Sequence, residues 1–370
     1  MSDTGNSKRE SIQQEALDAI NGVFRGSCAV SMGVGKTLIG LRHMEQEYQK
    51  GYRKFLVVAP KVSIFQSWKD DAEKFDFTHL LDCIEFTTYL SLSKKTRDYD
   101  AVYLDECHSL LYSHDFYLST FSGKILGLTG TPPRFHKSEK GEMVNKYCPV
   151  VYTYITDDAV DDKILNDYKI TIHKIPLGKT KTHKVKTKNG GFFMTSEQAN
   201  YDYWSERILT ASSPVQQKIF RIMRMQALMQ FSSKERYAKQ LLDMMHDKCL
   251  VFCNNTEQAD RICQHSYHSK NIHSDYNLEL FKAGKITALS SVQQLNEGVN
   301  IPDLRVGIIM HAYSNERKSS QRLGRLLRLS PDDKASIHIL MYEDTIDEEW
   351  VSEALRDLDS DKIVYTDSMF

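Results

Sequence analysis

Ser27-Cys28-Ala29-Val30-Ser31-Met32-Gly33-Val34-Gly35-Lys36-Thr37 is the stretch on which the fold turns. Residues 27–30 are small and apolar, 33–37 form a glycine loop ending in lysine and threonine, and 38–48 read as helix. Strand, glycine loop and helix together make a phosphate site. The glycines let backbone N–H groups approach the oxygens, and the helix N-terminus adds partial positive charge. In such a loop Gly33, Val34 and Gly35 cradle the phosphates and Lys36 reaches the β- and γ-groups. Thr37 holds Mg²⁺ through its hydroxyl. The strict pattern asks for glycine at position 30, where Val30 stands. Taken alone, the loop also fits an incidental glycine turn before a helix.

Asp105-Glu106-Cys107-His108 narrows the choice, because it directly follows the apolar run 101–104. A carboxylate at the carboxyl end of a buried strand, beside a phosphate loop, is where Mg²⁺ must be held. Asp105 is the candidate metal ligand. Glu106 is the candidate base that orients and deprotonates water. Phosphoryl transfer needs positioning and charge neutralisation more than covalent chemistry, so few residues suffice.

Outward from these motifs, short apolar runs alternate with turn-rich or helical sequence. Phe55–Ala59, 101–104 and 125–129 read as buried strands, and the pattern restarts with 250–253, 287–290, 306–310 and 337–342. Alternation of this kind implies parallel sheets covered by helices. A length of 370 residues holds two such domains. The expected division is 1–155 and 156–370. An insertion at about 177–232 is expected to hold a hairpin turning at Asn189-Gly190 and then helices rich in Met and aromatics.

Composition excludes a disordered or fibrous chain, and no apolar run is long enough to span a bilayer. Seven scattered cysteines without a C-x-x-C pair, and a polar N-terminus, point to a reduced, cytoplasmic setting. Cys263, His265, His268 and His273 match no familiar zinc spacing. A net charge of −1 decides nothing about nucleic acid, since a backbone-gripping cleft needs only local basic residues.

Four further segments fall in a fixed order: Thr129-Gly130-Thr131-Pro132, LVFCN at 250–254, NEGVNIP at 296–302 and QRLGRLLR at 321–328. With these in view the chain resembles a superfamily 2 DExH helicase or translocase. The glycine loop is similar to motif I, Ala59-Pro60-Lys61 to motif Ia, DECH to motif II and TGTP to motif III. The last three segments are similar to motifs IV, V and VI. The TGTP and EGVNIP variants resemble phage recombination helicases of the UvsW type and type III restriction motor subunits. The compact form fits a viral or mobile-element product.

The resemblance implies two tandem RecA-like domains with a cleft between them, and ATP with Mg²⁺ as cofactors. Gln14, with Gln13 adjacent, takes the place of the adenine-reading glutamine. Gln321 senses phosphate or water, and Arg325 and Arg328, three apart on one helical face, act as arginine fingers. Gly298, with Glu297 and Asn300, belongs to the motif V segment that couples nucleotide to track. His108, Thr129 and Thr131 are assigned to coupling as well.

Lys61, Ser63, Thr87, Thr88, Asn254 and Ser291 are candidates for the sugar–phosphate backbone. Lys184, Lys186 and Phe192 of the inserted hairpin are further candidates, although lysines also guard edge strands against aggregation. The expected activity is that of an ATP-dependent DNA helicase or translocase. An RNA helicase, or an ATPase switch without processive movement, is the alternative. Duplex, forked or branched DNA is the expected partner.

Overall fold

The computed structural model describes residues 3–31, 33–133, 135–186, 190–292, 301–312, 333–356 and 358–367. The chain divides into two compact units, the first running to Asp167 and the second starting at Tyr168.

The first unit comprises α1 (Asp3–Asn21), β1 (Arg25–Val30), α2 (Lys36–Gln49), β2 (Phe55–Ala59), α3 (Ser63–Lys74), β3 (Ile84–Thr88) and β4 (Ala101–Asp105). It continues with α4 (Asp115–Ser119), β5 (Lys124–Thr129), α5 (Glu139–Tyr147), β6 (Val150–Tyr154) and α6 (Thr156–Asp161). The six strands pair in the order β3-β2-β4-β5-β1-β6, parallel throughout. β2 and β4 are buried at every position, which is why their sequences run apolar without alternation. This order brings the carboxyl ends of β4, β5 and β1 side by side. Those ends carry the DECH, TGTP and glycine-loop segments.

The second unit has β7 (Asp167–Ile175), β8 (His183–Lys186), β9 (Phe192–Thr195), α7 (Glu197–Leu209), α8 (Pro214–Gln230), α9 (Ser232–Asp243), β10 (Cys249–Phe252) and α10 (Thr256–Ile262). Then come β11 (Ser266–Tyr267), α11 (Ser274–Lys282), β12 (Ala288–Ser291), β13 (Val306–Ile309), β14 (Lys334–Tyr342), α12 (Ile346–Leu355) and β15 (Ile363–Asp367). Its main sheet runs β11-β12-β10-β13-β14-β7-β15, and the pairs β11–β12, β10–β12, β10–β13, β13–β14 and β7–β15 are parallel. β8 and β9 form a separate antiparallel ribbon. The expected hairpin and helices therefore lie between β7 and α9. Ser196 and Ser213 cap α7 and α8 by accepting from Ala199 N–H and Gln216 N–H, and Pro214 opens α8.

His173 on β7 and His338 on β14 stack with ring centroids 5.2 Å apart, and Nε2 of one lies 2.9 Å from Nδ1 of the other. Burial holds both rings down, from 6.5 to about 4. A histidine depressed in the fold takes up its proton more readily when unfolded. Stability is therefore complete above about pH 6.5 and is lost as pH falls towards 4. The melting temperature should drop over that window by roughly 5 °C or more. His338→Gln, with no such proton to accept, should show a shallower fall between the same pH values.

Candidate functional site

The glycine loop follows β1, and its conformation explains its sequence. Gly33 has φ 90° and Gly35 φ 103°, the left-handed region that side chains disfavour. Gly35 opens α2, which has neither a side-chain cap nor an acid in its first turn. The first-turn N–H groups of a helix have no partner within it, so this end is built to receive an anion. Val34 is fully buried. Its carbonyl accepts a 2.6 Å hydrogen bond from Nε2 of Gln13, a buried residue on α1. Gln14 instead donates to Asp18 on the exposed side of the helix. The residue at the loop is thus Gln13 and not Gln14. Neighbouring helix positions point about 100° apart, and only packing against the loop tells them apart.

β4 delivers Asp105 and Glu106. Asp105 is 7% exposed, and its carboxylate accepts from the Trp68 indole N–H (2.8 Å) and from the Glu106 backbone N–H (2.9 Å). Trp68 is fully buried on α3. It packs on Gly40 of α2 so closely that a Cβ there would come within 2.6 Å of the ring. The Tyr89 hydroxyl, 2.9 Å from the Asp105 carbonyl oxygen, ties down the same strand end. Burial raises the Tyr89 hydroxyl far above the ordinary range, so it remains a donor.

Glu106 sits at φ 50°, ψ 53°, an unusual conformation for a non-glycine residue. Strain of this kind costs on the order of 1–3 kcal/mol and gathers at functional sites. It sets the Glu106 carboxylate between two partners. Lys36 Nζ is 4.0 Å from one oxygen and His108 Nδ1 is 3.4 Å from the other.

His108 Nδ1 also shares a 2.7 Å hydrogen bond with Thr129 Oγ1, and Thr131 Oγ1 lies at 3.4 Å. Thr131 N–H in turn donates to Thr129 Oγ1 (3.1 Å). A continuous polar chain therefore runs from Lys36 through Glu106 and His108 to Thr129 and Thr131. The pKa of the Asp71 carboxyl on α3 is raised chiefly by burial, against the opposing influence of Lys74 and of Thr37.

The other candidates divide. Lys61, Lys184, Lys186 and Phe192 are exposed. Thr87 and Ser291 are buried, at 4% and 1% exposure, and Asn254 is half-buried with its N–H donating to Gln258 (2.8 Å). Gly298, Gln321, Arg325 and Arg328, together with Glu297 and Asn300, lie outside the described residues. Trp68, Asp71 and Tyr89 are the contributors that motif reading passes over. A tryptophan inside a polar helix was the one available signal, because a buried indole N–H needs an acceptor.

Residues 6–134 match the family model of the type III restriction enzyme res subunit, and residues 233–330 match that of the helicase conserved C-terminal domain. The chain is 24% identical over 363 residues to the DNA 3'-5' translocase XPB2 of Sulfurisphaera tokodaii, covering 89% of this chain and 80% of that protein. Among solved structures it is similar to the ATP-dependent Type ISP restriction-modification enzyme LlaBIII bound to DNA, with a TM-score of 0.61 and 15% identity. That match covers the whole of this chain but only 31% of that enzyme. The Pyrococcus furiosus Hef helicase domain matches with a TM-score of 0.51 and 16% identity, over 93% of this chain and 96% of that one. Two tandem RecA-like domains, each with a parallel sheet, are the architecture these structures share with it. With a res-subunit domain followed by a helicase C-terminal domain, the chain belongs to the superfamily 2 helicases and translocases.

Proposed function

We propose that this chain hydrolyses ATP and uses the cycle to move along DNA, separating or remodelling its strands. The observation that carries this reading is the meeting of Lys36, at the start of α2, with Glu106, which directly follows Asp105 at the end of β4: Lys36 and Glu106 are 4.0 Å apart.

ATP with Mg²⁺ fits the residues present. The uncapped start of α2 offers N–H donors to phosphate, and Thr37 with Asp105 supplies the hard oxygen donors that Mg²⁺ prefers. When bound, the metal neutralises phosphate charge. Lys36 exchanges its carboxylate neighbour for the β- and γ-phosphates. Trp68 and the Glu106 N–H hold the Asp105 carboxylate in one orientation. Glu106, freed from Lys36, orients water and takes its proton. His108, Thr129 and Thr131 carry the change at Glu106 away from the nucleotide. Gln321, Arg325 and Arg328 are assigned to the γ-phosphate on their motif alone.

Gln13 is the residue we assign to the nucleotide side of the loop, in place of Gln14. Gln13→Ala should weaken ATP binding at least several-fold, and Gln14→Ala should leave it within about twofold, read with a fluorescent ATP analogue. The reverse ranking would return the role to Gln14.

DNA is favoured as the track because a relative aligned over 89% of this chain is a DNA translocase and a structural neighbour is a DNA-bound enzyme. ATPase rates on single-stranded DNA, duplex, forks, four-way junctions and RNA, at one salt concentration, test this. Stimulation by DNA above RNA is expected, and stimulation by RNA alone would overturn the choice of track.

A further inference from the structure

The β8–β9 ribbon has a composition unlike that of the rest of the chain. Between Pro176 and Ser196 there are five lysines and no acidic residue, in a protein whose net charge is −1. Pairing is antiparallel, with Lys184 opposite Met194 and Lys186 opposite Phe192. Opposed residues share a face of a ribbon, and so do residues two apart along a strand. One face therefore presents Lys184, Lys186, Phe192 and Met194 together. All four are exposed, with Phe192 at 56% and Met194 at 51%. The Lys184 ammonium sits 4.0 Å from the centre of the Phe192 ring.

The ribbon is anchored at its base. His183 packs edge-on against the buried Phe231, with ring centroids 5.0 Å apart. Glu197 accepts from Gly178 N–H (3.0 Å) on the chain leading into the ribbon, and from the N–H groups of Ser232 (2.9 Å) and Ser233 (3.0 Å) at the start of α9. A two-stranded ribbon is marginal alone, so this root holds it in place. A face meant only to stay soluble gains nothing from an exposed phenylalanine and methionine beside its lysines.

We infer that this face of the ribbon, resting on the DNA reading above, is a contact for one DNA strand. Lys184 and Lys186 pair with phosphates, and Phe192 stacks on a base. Cations spaced along a strand suit a phosphate backbone, and an aromatic face accepts any base, so the contact is independent of sequence. None of its residues belongs to the glycine-loop site, so the contact serves strand separation and leaves ATP hydrolysis to the residues described above.

The test compares wild type with Phe192→Ala, Phe192→Leu, Phe192→Tyr and the double variant Lys184→Gln/Lys186→Gln. Each is assayed for DNA-stimulated ATPase, for displacement on a forked duplex, and for the salt dependence of single-strand binding. Phe192→Ala and Phe192→Leu should lower displacement about tenfold with ATPase within about twofold, and Phe192→Tyr should restore it, because a ring and not apolarity is required. The lysine variant should flatten the slope of log K against log salt by about 1 per lysine. Displacement unchanged in Phe192→Ala, or an unchanged slope in the lysine variant, would overturn the assignment. If the wild type is stimulated by no DNA at all, the DNA reading fails and takes the ribbon contact with it. Stimulation with wild-type-like variants sinks the ribbon contact alone.

Discussion

Glu106→Gln is expected to stop ATP turnover while leaving ATP bound. Gln keeps the size of the side chain and its place between Lys36 and His108, but it cannot take a proton from water. Loss of a positioned general base costs about 10²–10⁴ in rate. The left-handed backbone at Glu106 is imposed by the turn out of β4 and does not depend on the carboxylate, so the variant should fold. Lys36→Ala should stop turnover by a different route. It removes the ammonium that faces the phosphates, so binding of ATP weakens as well. Steady-state phosphate release together with fluorescent nucleotide binding separates the two. Hydrolysis at the wild-type rate in either variant would overturn the site.

The second large effect lies in the other unit and concerns folding. Lys234 is fully buried on α9, and its ammonium is ion-paired with Asp347 of α12, itself 1% exposed. Asp347 Oδ2 also accepts from the Tyr342 N–H (2.9 Å), and the ammonium lies 4.5 Å from the centre of the Tyr342 ring. Burial pushes the Lys234 pKa down, against the pull of Asp347. Asp347→Ala strands that ammonium in the core and leaves the Tyr342 amide unmatched. Breaking such a pair costs about 3–5 kcal/mol, which corresponds to a fall in melting temperature of roughly 10 °C for a domain of this size. Lys234→Met/Asp347→Leu should recover most of the loss, because replacing both charges by apolar groups removes the desolvation penalty with the attraction. A fall of less than about 2 °C in Asp347→Ala would show that the pair is not a structural tie.

What could be read from the sequence follows the physics of burial. β2, β4, β5, β10, β13 and β14 are legible because strands covered on both faces run apolar, and each begins or ends within three residues of its expected place. β3, β6 and β15 are not, because they are partly exposed and carry polar residues, as in the Val150–Tyr154 strand with three exposed positions. The site divides in the same way. Lys36, Asp105 and Glu106 stand in local motifs, where spacing along the chain carries the chemistry. The Trp68 bond to Asp105 spans 37 residues and the Lys234–Asp347 pair spans 113, so each depends on packing that no local window contains. Gln13 and Gln14 are equivalent as letters and differ only in which one faces Val34.

The most direct measurement is displacement of a third DNA strand from a triplex carried on a duplex, which requires movement along DNA and no unwinding of it. With ATP and Mg²⁺ the wild-type protein should release the third strand, and Glu106→Gln should release none while still binding ATP. DNA-stimulated hydrolysis with no displacement on any duplex or fork would contradict a motor and leave an ATPase switch.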